Sequence, residues 1–218
     1  MSRASRVAGW AYLLAIAVIV AAQYGIYARL AVPGDPAATA RNFLAHATLL
    51  RLDAVCAFAY AFGLVVFLSA LHVVLSPVSR GLALAAALLR LVSAFTWVGI
   101  GVVLLAALRL GEREGMARPL LGTSADLYYA GLPFYAASAT LCAWLWLRSR
   151  LLPWGLAVAG VVASAWCLVS TVIYLVLPPF GRAVNLYTLD TPMALYEMAT
   201  GVWLVAGLTD RRLRRPWP

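Results

Sequence analysis

The sequence predicts an all-α membrane protein, a polytopic bundle of about six transmembrane helices with both termini cytoplasmic. Three observations carry this. Of 218 residues, 64% are hydrophobic and only 11% charged, against the roughly 25% charged residues of a soluble domain. A soluble fold of this length could not hide so much apolar surface in one core, so its natural solvent is lipid. Apolar runs long enough for spans of about 20 residues recur along the chain. The arginines gather at the ends of those runs, in excess on one side. The length suits a single transmembrane domain over residues 1–218, without a second sizeable soluble domain.

The first span is expected at about 7–30, after the basic start Met1-Ser-Arg-Ala-Ser-Arg6. It exceeds the apolar stretch of about 7–15 residues in a signal peptide, although Ala21-Ala22-Gln23 loosely resembles a cleavage site. A break follows at Pro33-Gly34-Asp35-Pro36, where Asp35 suits a helix N-cap and Pro36 the first helical position. Residues 37–52 read as an amphipathic segment, with Arg41, Asn42, His46 and Arg51 among apolar neighbours. This segment either lies at the outer surface or leads directly into the second span.

That span is expected at 53–75, stopping at Ser76-Pro77, and the third at 81–110. Hydrophilic stretches from Gly111 to Pro119 and from Gly122 to Asp126 precede the fourth, 127–147. Arg148-Ser-Arg150 and Pro153 make a tight turn into the fifth, 152–177, which ends at Pro178-Pro179. Pro192 suits the first turn of the sixth, 193–208. Residues 209–218 read as a basic cytoplasmic tail.

Six spans put both ends on one side. Arg3 and Arg6 lie there, as do Arg80, Arg148 and Arg150 in the short turns and Arg211, Arg212, Arg214 and Arg215 in the tail. The opposite loops mix Arg with Asp35, Glu112, Glu114, Asp126 and Asp190. The positive-inside rule makes the arginine-rich side cytoplasmic, and Trp10, Trp144, Trp146 and Trp154 read as an aromatic belt at the same face. The expected location is the bacterial cytoplasmic (inner) membrane, as a multi-pass protein.

The net charge of +9 and a pI near 10 would suggest nucleic acid in a soluble protein. Here the charge flanks apolar runs and reads as topology, so no nucleic-acid partner is expected. All 17 basic residues are arginines. Without a Lys there is no Schiff base, no P-loop and no Ser–Lys acyl-transfer pair. Cys56, Cys142 and Cys167 lie inside apolar runs without C-x-x-C spacing and read as small packing residues. His46 and His72 stand 26 residues apart, about 39 Å if helical, and fall towards opposite faces. No HExxH or carboxylate cluster offers another site, so neither a metal nor a cofactor is expected. Gly-x-Ser-x-Gly is absent too.

Charge inside hydrocarbon costs at least about 2.5–3.5 kcal/mol for a central Arg or Asp, which singles out Arg51, Asp53, Arg90 and Glu197. Arg90 has Ala86, Ala87, Ser93 and Ala94 at helical spacing, and Glu197 has Ala194, Thr200 and Gly201. These small faces suit helix contacts and turn both charges inward. A buried cluster of Arg90, Glu197 and Asp53, with Arg51, is the expected ligand site or proton-linked group. A structural ion pair fixing helix register is the competing reading. Gly155, Ala159 and Ala163 form a small-xxx-small packing face on the fifth span, open to a neighbouring helix or to another subunit. Tyr128-Tyr129 reads as interfacial anchoring.

A resemblance joins these readings. It is carried by Arg6-Val-Ala-Gly9, Asp53, Leu71-His-Val-Val-Leu-Ser-Pro77-Val-Ser-Arg80 and Leu82-Ala-Leu. It continues through Leu89-Arg90-Leu91-Val92, Leu147-Arg-Ser149, Leu152-Pro153-Trp154-Gly155-Leu156, Glu197, Val202-Trp203-Leu204 and Gly207. In order and spacing these resemble a bacterial membrane family known as domain of unknown function 4386, over nearly the whole chain. The resemblance implies that Asp53, Arg90 and Glu197 sit where that family tends to carry the same residues. His72 departs from it, in place of an aromatic such as Tyr. The family brings no activity.

The function expected is therefore non-enzymatic: sensing, binding or moving a small or lipidic molecule through the buried Asp/Arg/Glu cluster. An intramembrane enzyme acting on a lipid or isoprenoid, with Asp53 or Glu197 as acid or base, is one alternative. A structural or partner-binding subunit is the other. The expected partners are membrane lipids and, through the fifth span, a second copy or another membrane protein.

Overall fold

A backbone inside hydrocarbon has to satisfy its own N–H and C=O groups, and an α-helix does so within one segment. The structure is a computed structural model that describes residues 2–114, 116–177, 180 and 186–206, with backbone alone at 2, 112–114 and 186–189. Among these every regular element is helical.

Helix α1, Ser2–Ala22, passes into a π-helical segment, Gln23–Tyr27, and the short α2, Ala28–Leu30. Gly34 then takes φ 79°, a conformation that suits glycine. The Asp35 carboxylate accepts from the Ala38 N–H at 2.8 Å, and Pro36 opens α3, Pro36–Ala45. The cap expected from sequence is thus in place. Asn42 ties α3 back to the end of α2 by donating to the Leu30 carbonyl at 3.1 Å. His46 leaves helical geometry (φ −114°, ψ 50°) and closes α3. Helix α4, Ala47–Leu75, starts directly after it. The amphipathic segment is therefore divided: its first part is a separate helix, and 47–52 belongs to the second span.

Helix α5 runs Arg80–Glu114 and α6 runs Ala117–Ser149. Both exceed the expected spans, because the stretch from Gly111 to Asp126 is largely helical instead of looped. Its Glu and Arg residues are good helix formers, and Pro119 falls in the first turn of α6, where no hydrogen bond is lost. At Gly111 an added Cβ would stand 2.8 Å from that of Ala117, so the glycine lets the two helices meet closely. Arg150, at φ 54°, ends α6. Pro153 then immediately precedes α7, Trp154–Val176. Helix α8, Leu186–Val205, corrects the reading of Pro192, which lies inside the helix. Pro133 likewise lies inside α6. Pro178-Pro179, the ends of the sixth span (207–208) and the tail 209–218 fall outside the described residues.

Five stretches are long and apolar enough to cross a membrane: Arg3–Leu30, Ala47–Leu75, Arg80–Gly111, Ala117–Ser149 and Trp154–Val176. The segment expected as a sixth span lies on α8 and is not among them. The chain is an all-α polytopic membrane protein.

Two compact units divide the chain. The first comprises Met1–Leu13, Leu64–Ser93 and Leu132–Pro218; the second comprises Leu14–Gly63 and Ala94–Gly131. In the second unit Ile26, Leu30, Phe43, Leu50, Ala54, Ala57, Ile100 and Leu104 form one apolar cluster. Beside it runs a file of edge-to-face rings, Tyr60–Trp97–Tyr128–Tyr129, with centroids 4.7, 5.8 and 5.6 Å apart. The pair expected to anchor at the interface is thus part of an aromatic packing run.

In the first unit Trp146 is fully buried and belongs to the core, not to an aromatic belt. Trp10, Trp144 and Trp154 are exposed, as a belt requires. Helix α7 packs inward through Ala157, Gly160, Ser164, Cys167 and Thr171. The stripe chosen from sequence lies on another side: Gly155 and Ala159 are exposed, Ala163 is half-buried, and a Cβ on Gly155 would meet nothing within 4 Å. Helix α7 meets α8 at Gly160, where a Cβ would overlap the Tyr196 ring.

Candidate functional site

Four helical segments of the first unit converge on Arg90. Its position follows from α5: Ala86 and Ser93, one turn away on either side, are buried and leave room for neighbouring helices. Arg90 is only 1% exposed and Glu197 only 4%. The Arg90 Nη2 donates to Glu197 Oε1 at 2.7 Å, closing a buried ion pair. Arg90 Nε donates to Ser138 Oγ at 3.4 Å, and Ser138 in turn donates to the Ala86 carbonyl at 2.7 Å. The Tyr135 hydroxyl donates to Glu197 Oε2. That leaves Tyr12, whose hydroxyl lies 3.0 Å from that of Tyr135, as the donor in their contact.

Aromatic faces complete the enclosure. The guanidinium lies 3.9 Å from the centroid of Tyr135 and 5.8 Å from that of Phe67, both within cation–π range. Tyr12 stacks on Phe67 at 4.3 Å. Both carboxylate oxygens of Glu197 are engaged, and two of the three guanidinium nitrogens. The third, Nη1, is buried without a hydrogen-bond partner. A buried donor left unpaired costs about 1–3 kcal/mol, and more when charged, so this atom is the unmet demand of the site.

Of the four charges chosen from sequence, the structure brings Arg90 and Glu197 together. Asp53 and Arg51 belong to the second unit and have no ion pair or hydrogen bond among the described residues. Asp53 is half-buried; Arg51 is exposed and points away from any buried role. The two are only two residues apart on α4, so they face different directions.

Tyr12, Phe67, Tyr135 and Ser138 were not singled out in the sequence. Hydroxyls and rings are common in membrane helices, and the one clue, Tyr135 and Ser138 one turn apart on α6, is a weak one. His46 closes α3, its Nδ1 2.9 Å from the Asn42 carbonyl. His72 Nδ1 is buried without a partner. Among the described residues no three His, Cys, Asp or Glu side chains gather as a metal site.

A family model described as domain of unknown function (DUF4386) matches residues 7–207. The chain belongs to this family. The DUF4386 match takes in every residue of the Arg90 centre, from Tyr12 to Glu197, and Asp53 as well. No curated protein and no solved structure matches the chain.

Proposed function

We propose that this DUF4386 protein senses, binds or moves a small or lipidic molecule at the Arg90–Glu197 centre, as a non-enzymatic multi-pass protein of the bacterial cytoplasmic membrane with six spans and cytoplasmic termini. The observation that carries the reading is the buried, unpartnered Arg90 Nη1. A purely structural ion pair is economical when every polar atom is satisfied. Here one strong donor is left over in a place where charge is already costly. Catalysis by Glu197 has less support, because both of its oxygens already accept.

The test is native mass spectrometry of lipids and metabolites carried by the purified protein, compared with Glu197→Gln. A species bound to the wild type and lost from a folded Glu197→Gln supports the reading. Identical bound species in both would sink it.

A second reading has its own observation. The exposed Gly155–Ala159–Ala163 stripe is open to a helix from a second copy or from another membrane protein.

A further inference from the structure

Five exposed arginines stand at one end of the second unit: Arg29 on α2, Arg41 on α3, Arg51 on α4, Arg109 on α5 and Arg118 on α6. Each flanks the apolar cluster of that unit. Arg29 precedes Leu30, Arg41 stands two residues before Phe43, and Arg51 follows Leu50. Arg109 follows Leu108, and Arg118 lies one turn from Leu121. Contacts between the elements draw them to one place. Asn42 donates to the Leu30 carbonyl at 3.1 Å, which sets the backbone at Arg41 beside that at Arg29. A Cβ added at Gly111 would stand 2.8 Å from that of Ala117 and 3.1 Å from a methyl carbon of Leu44. Helices α3, α5 and α6 therefore meet one turn from Arg41, two residues from Arg109 and one residue from Arg118.

The sequence mixes these arginines with acids, but the acids do not take them up. Asp35 caps α3 through the Ala38 N–H. Asp53 is half-buried and Asp126 exposed. None of the five arginines has an ion pair or hydrogen bond among the described residues. Glu112, Arg113 and Glu114 share this end, with side chains outside the described residues; with them it carries six arginines and five acids. So small a net charge exerts little long-range pull. What this end offers is local: guanidinium forks with no carboxylate to hold.

Depth defines what meets them. Arg29, Arg51, Arg109 and Arg118 each lie within five residues of the end of an apolar span. Tyr24 and Tyr27, exposed just before Arg29, are side chains typical of a membrane–water boundary. An arginine at that level runs its stem along apolar surface and sets its guanidinium among the headgroups. Leu52, Val55 and Val102, exposed on the same spans, leave surface for acyl chains. Topology does not account for these arginines: on the orientation proposed above they lie outside, where the positive-inside rule asks for none.

We infer that this end of the second unit is a binding surface for anionic lipids, whose phosphodiester oxyanions are held by Arg29, Arg41, Arg51, Arg109 and Arg118. Phosphate is the chemistry that a headgroup shares with a soluble phosphate ester, and the span ends beside the arginines favour the lipid. The surface belongs to the second unit and does not depend on what the Arg90 centre binds.

The experiment uses the full chain in an uncharged detergent with three probes: phosphatidylglycerol, phosphatidylcholine with the same acyl chains, and glycerol phosphate. Arginines are modified with phenylglyoxal, and the modified positions are read by peptide mass spectrometry. Phosphatidylglycerol is expected to protect the five arginines. Phosphatidylcholine, whose ammonium offsets its phosphate, and glycerol phosphate, which has no chains, are expected to leave them reactive. Arg41→Gln, Arg109→Gln and Arg118→Gln together change exposed side chains and are expected to leave the unfolding curve in place. The phosphatidylglycerol needed to protect Arg29 and Arg51 is then expected to rise about fivefold for each arginine removed, roughly a hundredfold in all. Arg80→Gln with Arg148→Gln, exposed in the first unit, is the control and is expected to leave that protection unchanged.

Five arginines as reactive with phosphatidylglycerol as without it overturn the inference, as does a triple variant in which Arg29 and Arg51 are protected as readily as in the wild type. Equal protection by phosphatidylcholine overturns the requirement for an anionic lipid. Equal protection by glycerol phosphate overturns the lipid as the source of the phosphate.

Discussion

At the scale of single residues, the Arg90 centre is a convergence of donors on one carboxylate. Arg90 and Tyr135 both donate to Glu197, and Tyr12 donates to Tyr135. Removing one member of a buried pair leaves the other charged and unsatisfied, so Arg90→Ala is expected to destabilise by about 3–5 kcal/mol. The double variant Arg90→Met, Glu197→Leu is expected to recover most of that loss. Thermal unfolding in detergent checks both; a double variant no better than the single would show that the loss is one of packing and not of charge. Tyr135→Phe keeps the ring over Arg90 and removes only the hydroxyl. It is expected to cost about 1–3 kcal/mol, and less once Glu197 is Leu, when only the hydrogen bond from Tyr12 remains to be lost. Arg90 and Glu197 were legible in the sequence because charge in an apolar run is expensive and small residues flank both. The hydroxyls that complete the site were not, because Ser and Tyr on a membrane helix cost little and turn up in many roles. Asp53 was legible as a charge but not as belonging elsewhere: a linear sequence gives depth along a helix, not which neighbour a side chain meets.

At the scale of elements, glycines separate the two faces of α7. Gly160 lies under the Tyr196 ring, where a Cβ would overlap it, while Gly155 stands in open space. Gly160→Val is expected to force the Tyr196 ring off its seat and cost about 1–3 kcal/mol through overpacking. Gly155→Ala is expected to stay within about 0.5 kcal/mol of wild type. The pair of unfolding curves checks this; equal effects at both positions would mean that the exposed stripe is already covered by a partner. The sequence showed a small-residue stripe on this helix but could not rank it against the parallel stripe one residue further along, because both have the same four-residue period. The same limit governed Pro192. Proline at a first helical turn and proline inside a helix read alike until the upstream turn, Leu186 to Thr191, is seen to be helical. The Asp35 cap was readable because its signal is purely local: a carboxylate before a proline at the start of a helix.

At the scale of the whole molecule, the question is whether α8 crosses the membrane. Composition made the membrane reading secure, since the apolar fraction left no other solvent, and five stretches meet the length and hydropathy of a span. Five crossings would place Arg3 and Arg6 on one side and the arginine tail on the other. Six would gather Arg3, Arg6, Arg211, Arg212, Arg214 and Arg215 on one side, as the positive-inside rule favours. Helix α8 has 20 residues, about 30 Å of rise, which is enough to span. Its buried acid is partnered by Arg90, which lowers the cost that Glu197 would otherwise impose on insertion. Six crossings are therefore expected. The check is labelling of single cysteines by a membrane-impermeant maleimide in intact cells, on a background with Cys56, Cys142 and Cys167 replaced by Ala. Cysteines at Gly34 and Gly122 should react from outside, while those at Ser2, Gly81 and Pro216 should react only after the membrane is opened. Reaction at Pro216 in intact cells, with Ser2 protected, would mean five crossings. The Arg90–Glu197 pair would then hold α8 without a crossing.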